Sequence, residues 1–114
     1  MKRESRDYIE DIVSAVDEIA DFTKGMTWEE FRQDKKTINA VVRSLEVIGE
    51  ASKRISQDIK TRYPDVPWKY MAGMRDKLIH EYFGIDLDII WAVIRQEIPA
   101  VEPIIRQLLK EEKE

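Results

Sequence analysis

Apolar residues recur at intervals of three and four along almost the whole chain. No segment alternates apolar and polar residues as a half-buried strand would. The pattern predicts helices only. The first runs from about Ser5 to Phe22, with Ile9, Ile12, Val16 and Ile19 on one face and Val13 and Ala20 widening it. Lys24-Gly25 ends it, because glycine takes the left-handed C′ conformation at little cost. Thr27-Trp28-Glu29-Glu30 has the form of a capping box, with Thr27 as N-cap and Glu30 at N3, and starts a short helix carrying Trp28 and Phe31. A long helix is expected from about Asp34 to Arg62, since Ile38, Val41, Leu45, Ile48, Ser52, Ile55 and Ile59 keep the three–four spacing throughout. Such a seam suits shallow-angle packing in a bundle. Gly49, Ala51 and Ser52 form a small-residue patch in its middle. Glycine there costs roughly 1 kcal/mol of helix propensity relative to alanine, which implies close approach by another helix.

Tyr63-Pro64-Asp65-Val66-Pro67 is the clear loop. Pro67 suits the first position of the next helix, expected from Trp68 to about His80. Phe83-Gly84 stops it. Asp86 can cap another helix reaching about Gln96, with Ile90, Trp91 and Ile94 turned inward. Pro99 and Pro103 interrupt the last segment, and Pro103 cannot donate to the carbonyl of Pro99, so a kink or a fresh start at Pro103 is expected. Ile104, Ile105, Leu108 and Leu109 then pack a final helix before residues 110–114 fray. The expected fold is all-α: an up-and-down bundle of four main helices with short extra helices, one domain over residues 1–114.

Composition narrows the chemistry. The chain has no cysteine, which removes disulfides, thiolate nucleophiles and thiolate zinc sites. No run approaches the ~18 apolar residues of a membrane span, and the start shows no signal-peptide core; a cytoplasmic location is the expectation. The net charge of −4 argues against a protein that coats nucleic acid by bulk electrostatics. Its distribution is uneven: residues 1–42 carry a net −3, residues 43–77 a net +3 and residues 78–114 a net −4. A solvated helix face accounts for that basic excess as well as a nucleic-acid surface does.

The basic stretch leads into Met74-Arg75-Asp76-Lys77-Leu78-Ile79-His80-Glu81-Tyr82-Phe83, which holds the only histidine of the chain. Arginine and histidine suffice for cutting RNA without a metal. Histidine moves a proton near neutral pH, and arginine holds the phosphate whose charge grows in the transition state. Five helical residues correspond to roughly 140° of rotation. Arg75 and His80 therefore converge only if the helix unwinds at His80 or a second chain brings its own run alongside. Asp76, four residues before His80, can accept a ring N–H and orient the imidazole. The spacing equally allows a structural reading. Arg75 would pair with Glu46 or Glu50 of a neighbouring helix, His80 would satisfy the last carbonyls, and Tyr82 would be a boundary aromatic.

The blocks Ile48-Gly49-Glu50-Ala51-Ser52-Lys53-Arg54, Pro67-Trp68 and Gly73 to Phe83, with Trp91 and Ile98-Pro99, resemble the HepT-like branch of the HEPN superfamily. Arg75, Asp76, His80 and Tyr82 fill its motif without departure. The resemblance implies a homodimeric, metal-independent endoribonuclease without cofactor, the toxin of a type VII-like toxin–antitoxin pair. Its partner would be a minimal nucleotidyltransferase antitoxin that silences it by adding AMP to Tyr82. His80 would then act as general acid or base, Arg75 would stabilise the phosphorane-like charge, Asp76 would position the pair, and Glu50 would support them. The rival expectation is a non-catalytic, nucleotide- or partner-binding helical module that docks a nucleotidyltransferase. A bundle metalloprotein is disfavoured, since the Glu-x-x-His pairs of di-iron bundles are absent and Lys77 stands at that offset from His80.

Overall fold

The computed structural model describes residues 3–80 and 86–112, and for residues 75–80 the backbone alone. Every regular element among the described residues is helical. In order these are α1 (Ser5–Thr23), α2 (Trp28–Gln33), α3 (Lys35–Arg54), α4 (Gln57–Arg62), α5 (Trp68–His80), α6 (Leu87–Ala92) and α7 (Ile98–Glu111), with a π-helical turn (Val93–Glu97) joining the last two. The four long helices form the expected all-α bundle. α3 packs against both α1 and α5, and α7 lies along α1.

The core follows the apolar seam. Ile9, Ile12, Val16 and Ile19 of α1 are buried against Ile38, Val41, Leu45 and Ile48 of α3. Burying one such side chain stabilises the fold by about 1.5–3 kcal/mol. Ala20 does not widen the α1 face as expected: it is exposed, and Ala15 and Thr23 are buried instead. The Thr23 hydroxyl donates to the Ile19 carbonyl at 2.8 Å, so no buried donor is left unpaired. Gly25 adopts φ +73 after α1, the left-handed turn that glycine makes cheaply. The Thr27 capping box forms in both directions. Thr27 Oγ1 accepts from the Glu30 N–H at 3.1 Å, and the Thr27 N–H donates to Glu30 Oε1 at 2.9 Å.

Three local expectations need correction. The long seam is two helices, because the chain turns extended at Ile55 (φ −72, ψ 140). Ser56 then caps α4 by accepting from the Ile59 N–H at 3.3 Å, while its own N–H donates to Ser5 Oγ at 3.0 Å. Ile55 and Ile59 remain buried across the break. Pro67 precedes α5 rather than opening it; its carbonyl accepts the Met71 N–H at 2.9 Å. Finally, Pro103 neither breaks nor starts a helix, since α7 runs through it. The irregularity lies upstream, where the Ile98 N–H reaches back five residues to the Val93 carbonyl. In an α-helix the Pro99 ring would press on the Arg95 carbonyl and leave it without a donor. A wider turn ahead of Pro99 relieves that conflict.

Long-range polar contacts fix the ends. Asp86 caps α6 as expected, accepting from the N–H groups of Asp88 (3.0 Å) and Ile89 (3.4 Å). Trp91 is half-buried rather than turned fully inward. It packs on Phe31 at 5.1 Å and Trp28 at 6.1 Å between ring centroids. The Arg95 guanidinium lies 4.3 Å over its ring and donates to the carbonyls of Thr23 (3.3 Å) and Met26 (2.7 Å), tying the α1–α2 loop to the π turn. The tail is held through Glu112 rather than frayed from Lys110. Arg62 donates to both Glu112 carboxylate oxygens at 2.8 and 3.2 Å, and the Tyr63 hydroxyl donates to Glu111 at 2.7 Å. The expected stop at Phe83-Gly84 lies outside the described residues.

Candidate active site

Arg75, Asp76 and His80 occupy the end of α5, so the packing of that helix positions this part of the run. Its entry is pinned by the Trp68 indole, whose N–H donates to the Tyr63 carbonyl at 3.0 Å. Its inner face is held by Met71 and Met74, which are buried and share a small apolar cavity with Ile12, Val16, Ile48 and Ile98. Two methionines fit such an irregular junction of four helices because the unbranched thioether adapts to gaps. α5 is therefore anchored to the bundle along its first two turns.

The backbone stays helical through His80. Arg75, Asp76 and His80 thus belong to one continuous helix, with Arg75 and His80 roughly 140° apart around its axis. The helix does not unwind to bring them together. Their side chains, and the whole of Tyr82, lie outside the described residues. Glu50 sits on the outer face of α3, about half exposed, and its carboxylate meets Arg54 one turn later at 3.2 Å. It lines a cleft of about 590 Å3 between α1 and α3, together with Arg3, Tyr8, Asp11, Arg43 and Glu46. Charges in that cleft largely neutralise one another: Arg3 pairs with Asp11 at 2.9 Å as Arg54 does with Glu50. Among the described residues, none of α5 lines it.

A second opening lies on α5 itself. Leu45 of α3, Lys69, Tyr70, Gly73 and Met74 of α5, and Ile89 and Val93 following Asp86 enclose a groove of about 170 Å3. Tyr70 is among the most exposed large apolar side chains described. Burial of the rest of its ring, and then the nearby Glu97 carboxylate, push its phenol well above the usual tyrosine range, so it stays protonated. Sequence reasoning did not mark this groove. The only signal is the spacing of Lys69, Tyr70, Gly73 and His80, which recurs at one face of a helix but gains walls only when Ile89 and Val93 come alongside.

Among the described residues no helix is long and apolar enough to cross a membrane. The family model described as "Ribonuclease HepT-like" matches residues 12–108. A probable ribonuclease HepT of Thermococcus cleftensis is 48% identical over 110 residues, covering 96% of this chain and the whole of that protein. Two proteins of Methanocaldococcus jannaschii, both provisionally named RNases, are similar to the same extent. One is 48% identical over 96% of this chain and 91% of its own length. The other is 46% identical over 99% of this chain and 97% of its own length. No solved structure gives a significant match.

Proposed function

The chain belongs to the HepT-like ribonuclease family, and we propose that it is a metal-independent endoribonuclease, the toxin of a type VII-like toxin–antitoxin pair. The observation that carries this reading is the family match across residues 12–108, which encloses the uninterrupted run of Arg75, Asp76, His80 and Tyr82 on and just after α5. The RNA 2′-hydroxyl attacks the adjacent phosphorus and gives up its proton to a base. The P–O5′ bond breaks, and the leaving oxygen takes a proton. His80 serves one or both transfers, since an imidazole can both accept and donate a proton near neutral pH. Arg75 holds the charge that builds on the non-bridging oxygens, and Asp76 orients His80 as a positioning residue. The products carry a 2′,3′-cyclic phosphate and a 5′-hydroxyl.

The unbroken α5 helix supports a homodimer with a composite site, because one helix does not turn Arg75 and His80 toward one phosphate. Silencing fits the same site. The Tyr82 hydroxyl attacks the α-phosphorus of ATP held by a minimal nucleotidyltransferase antitoxin, pyrophosphate leaves, and the phenol proton passes to solvent. The resulting phosphodiester adds bulk and negative charge two residues from His80, where RNA phosphate must sit. Glu50 supports the site from α3. These partners meet in the cytoplasm.

The net charge of −4 favours a second reading, a non-catalytic helical module that binds a nucleotide or docks the nucleotidyltransferase. One assay separates the two. Purified protein is expected to cut RNA in excess EDTA, with His80→Ala and Arg75→Ala each reducing the rate by about 10²-fold or more while the circular dichroism stays helical. Equal cutting by both variants and the parent removes the catalytic assignment. No cutting by any of them favours the binding module.

A further inference from the structure

The groove on α5 has no part in the chemistry described above, yet it has the features of a subsite. Gly73 lies in the interior of α5, is exposed, and a Cβ added there would meet no atom of the described residues within 4 Å. Glycine at such a position costs about 1 kcal/mol of helix propensity relative to alanine. Nothing among the described residues requires that sacrifice. Its effect is to keep the groove open beside the Tyr70 ring, 38% of whose residue surface is exposed, with apolar walls from Ile89 and Val93 and the exposed Lys69 at the edge.

The helical period links this groove to the proposed catalytic position. Positions 69, 73, 76 and 80 recur along one stripe of α5, and residue 80 lies about 10 Å along the axis from Gly73. α5 also carries Lys69, Arg75 and Lys77 against Asp76 alone, a basic helix in an acidic chain. Size argues for the kind of ligand. A volume near 170 Å3 is well below the ~300 Å3 at which pockets for whole drug-sized ligands begin, so it suits one flat ring system. A stable contact with another protein uses about 20–30 residues a side, far more than the seven described residues that line this groove.

We infer that the groove holds one unpaired nucleobase of the RNA strand whose scissile phosphate lies at His80, the base stacking on Tyr70 over the bare Gly73 backbone and Lys69 meeting a neighbouring phosphate. Single-stranded RNA is commonly held in this way, by aromatic stacking beside a cationic rim. The inference rests on the ribonuclease reading, and it makes single-stranded or looped RNA the substrate, because a paired base cannot enter.

The test measures binding of the purified protein to a 2′-O-methyl RNA oligonucleotide, which lacks the nucleophile and cannot be cut, by fluorescence anisotropy. Gly73→Leu fills the groove with a good helix former, and Tyr70→Ala removes the stacking ring. Each is expected to weaken binding about tenfold, whereas Tyr70→Phe keeps most of the affinity. An abasic nucleotide stepped through the oligonucleotide should weaken the parent at one position and leave Gly73→Leu indifferent to it. Unchanged affinity in both Gly73→Leu and Tyr70→Ala, with a parent that cuts and binds RNA, overturns the subsite and leaves the ribonuclease intact. A parent that neither binds nor cuts RNA sinks both. Unchanged affinity with a shift of Gly73→Leu from dimer to monomer in sedimentation makes the groove a contact between copies and also overturns the proposal. Should Gly73→Leu fail to fold, the contrast between Tyr70→Ala and Tyr70→Phe decides.

Discussion

Mixing two inactive variants should restore activity if the site is shared between two chains. On a helix about 10–12 Å across, positions 140° apart are separated laterally by roughly 10 Å, and five residues add about 7.5 Å along the axis. Positions 75 and 80 on the surface of one α5, helical over its whole span, are therefore roughly 12–13 Å apart. A single phosphate needs each group within about 3 Å of its own oxygen, so one helix falls short by several ångströms. With a twofold axis the Arg75 of one chain serves the His80 of the other. In a heterodimer of Arg75→Ala with His80→Ala, one site then carries both lesions and the other carries none. Random subunit exchange at equal concentrations gives half heterodimers, so about a quarter of all sites are intact. The assay is RNA cleavage in EDTA after the two purified variants are unfolded together and refolded. Recovery to about a quarter of the parent rate is expected, against a background near that of either variant alone. A mixture that stays at background while sedimentation shows the heterodimer would refute the shared site, and with it the geometric reasoning from α5.

Other outcomes test the frame that holds α5. Thr27→Ala removes a capping box closed in both directions and should cost about 1 kcal/mol of stability in urea denaturation, with RNA cleavage unchanged. Phe31→Ala empties the core beneath Trp91, where Phe31 is fully buried. It should cost about 3–5 kcal/mol, much of the stability of a small domain, with a red-shifted tryptophan emission as the companion readout. The Thr37 backbone and hydroxyl hydrogen bonds hold Asp34 below its ordinary value of 3.8. A lowered carboxylate contributes stability above its unfolded pKa and loses it as pH falls through the folded one. Asp34→Asn keeps a good N-cap without the titration, so the stability difference between parent and variant should shrink as pH drops below about 4; a gap that grows there would contradict the sign.

The Arg–His motif was legible as a sequence pattern because it is short and local: Arg75, Asp76, His80 and Tyr82 lie within eight positions of the chain. The groove was not. Its walls come from Leu45, from α5 and from Ile89 and Val93, and no periodicity of one segment reports what another segment brings beside it. Glu50 illustrates the same limit from the other side. Its place on the α1–α3 cleft, beside Arg54 of its own helix, was equally absent from the pattern of α3 alone.

By itself the sequence determined which segments are helices and which face of each is buried. Those properties rest on the 3.6-residue period and on caps such as Thr27 and Asp86, which act within a few residues. Tertiary structure alone decided where the long seam breaks. One bent helix and two helices share the same apolar spacing, and Ser56 receives its outside partner from Ser5, 51 residues away. It also decided that Pro99 and Pro103 sit in one continuous helix behind a π turn, because Trp91 and the carbonyls of Thr23 and Met26 hold Arg95 at that turn. Periodicity measures an energy summed along one helix; breaks, grooves and clamps depend on what other helices place against it.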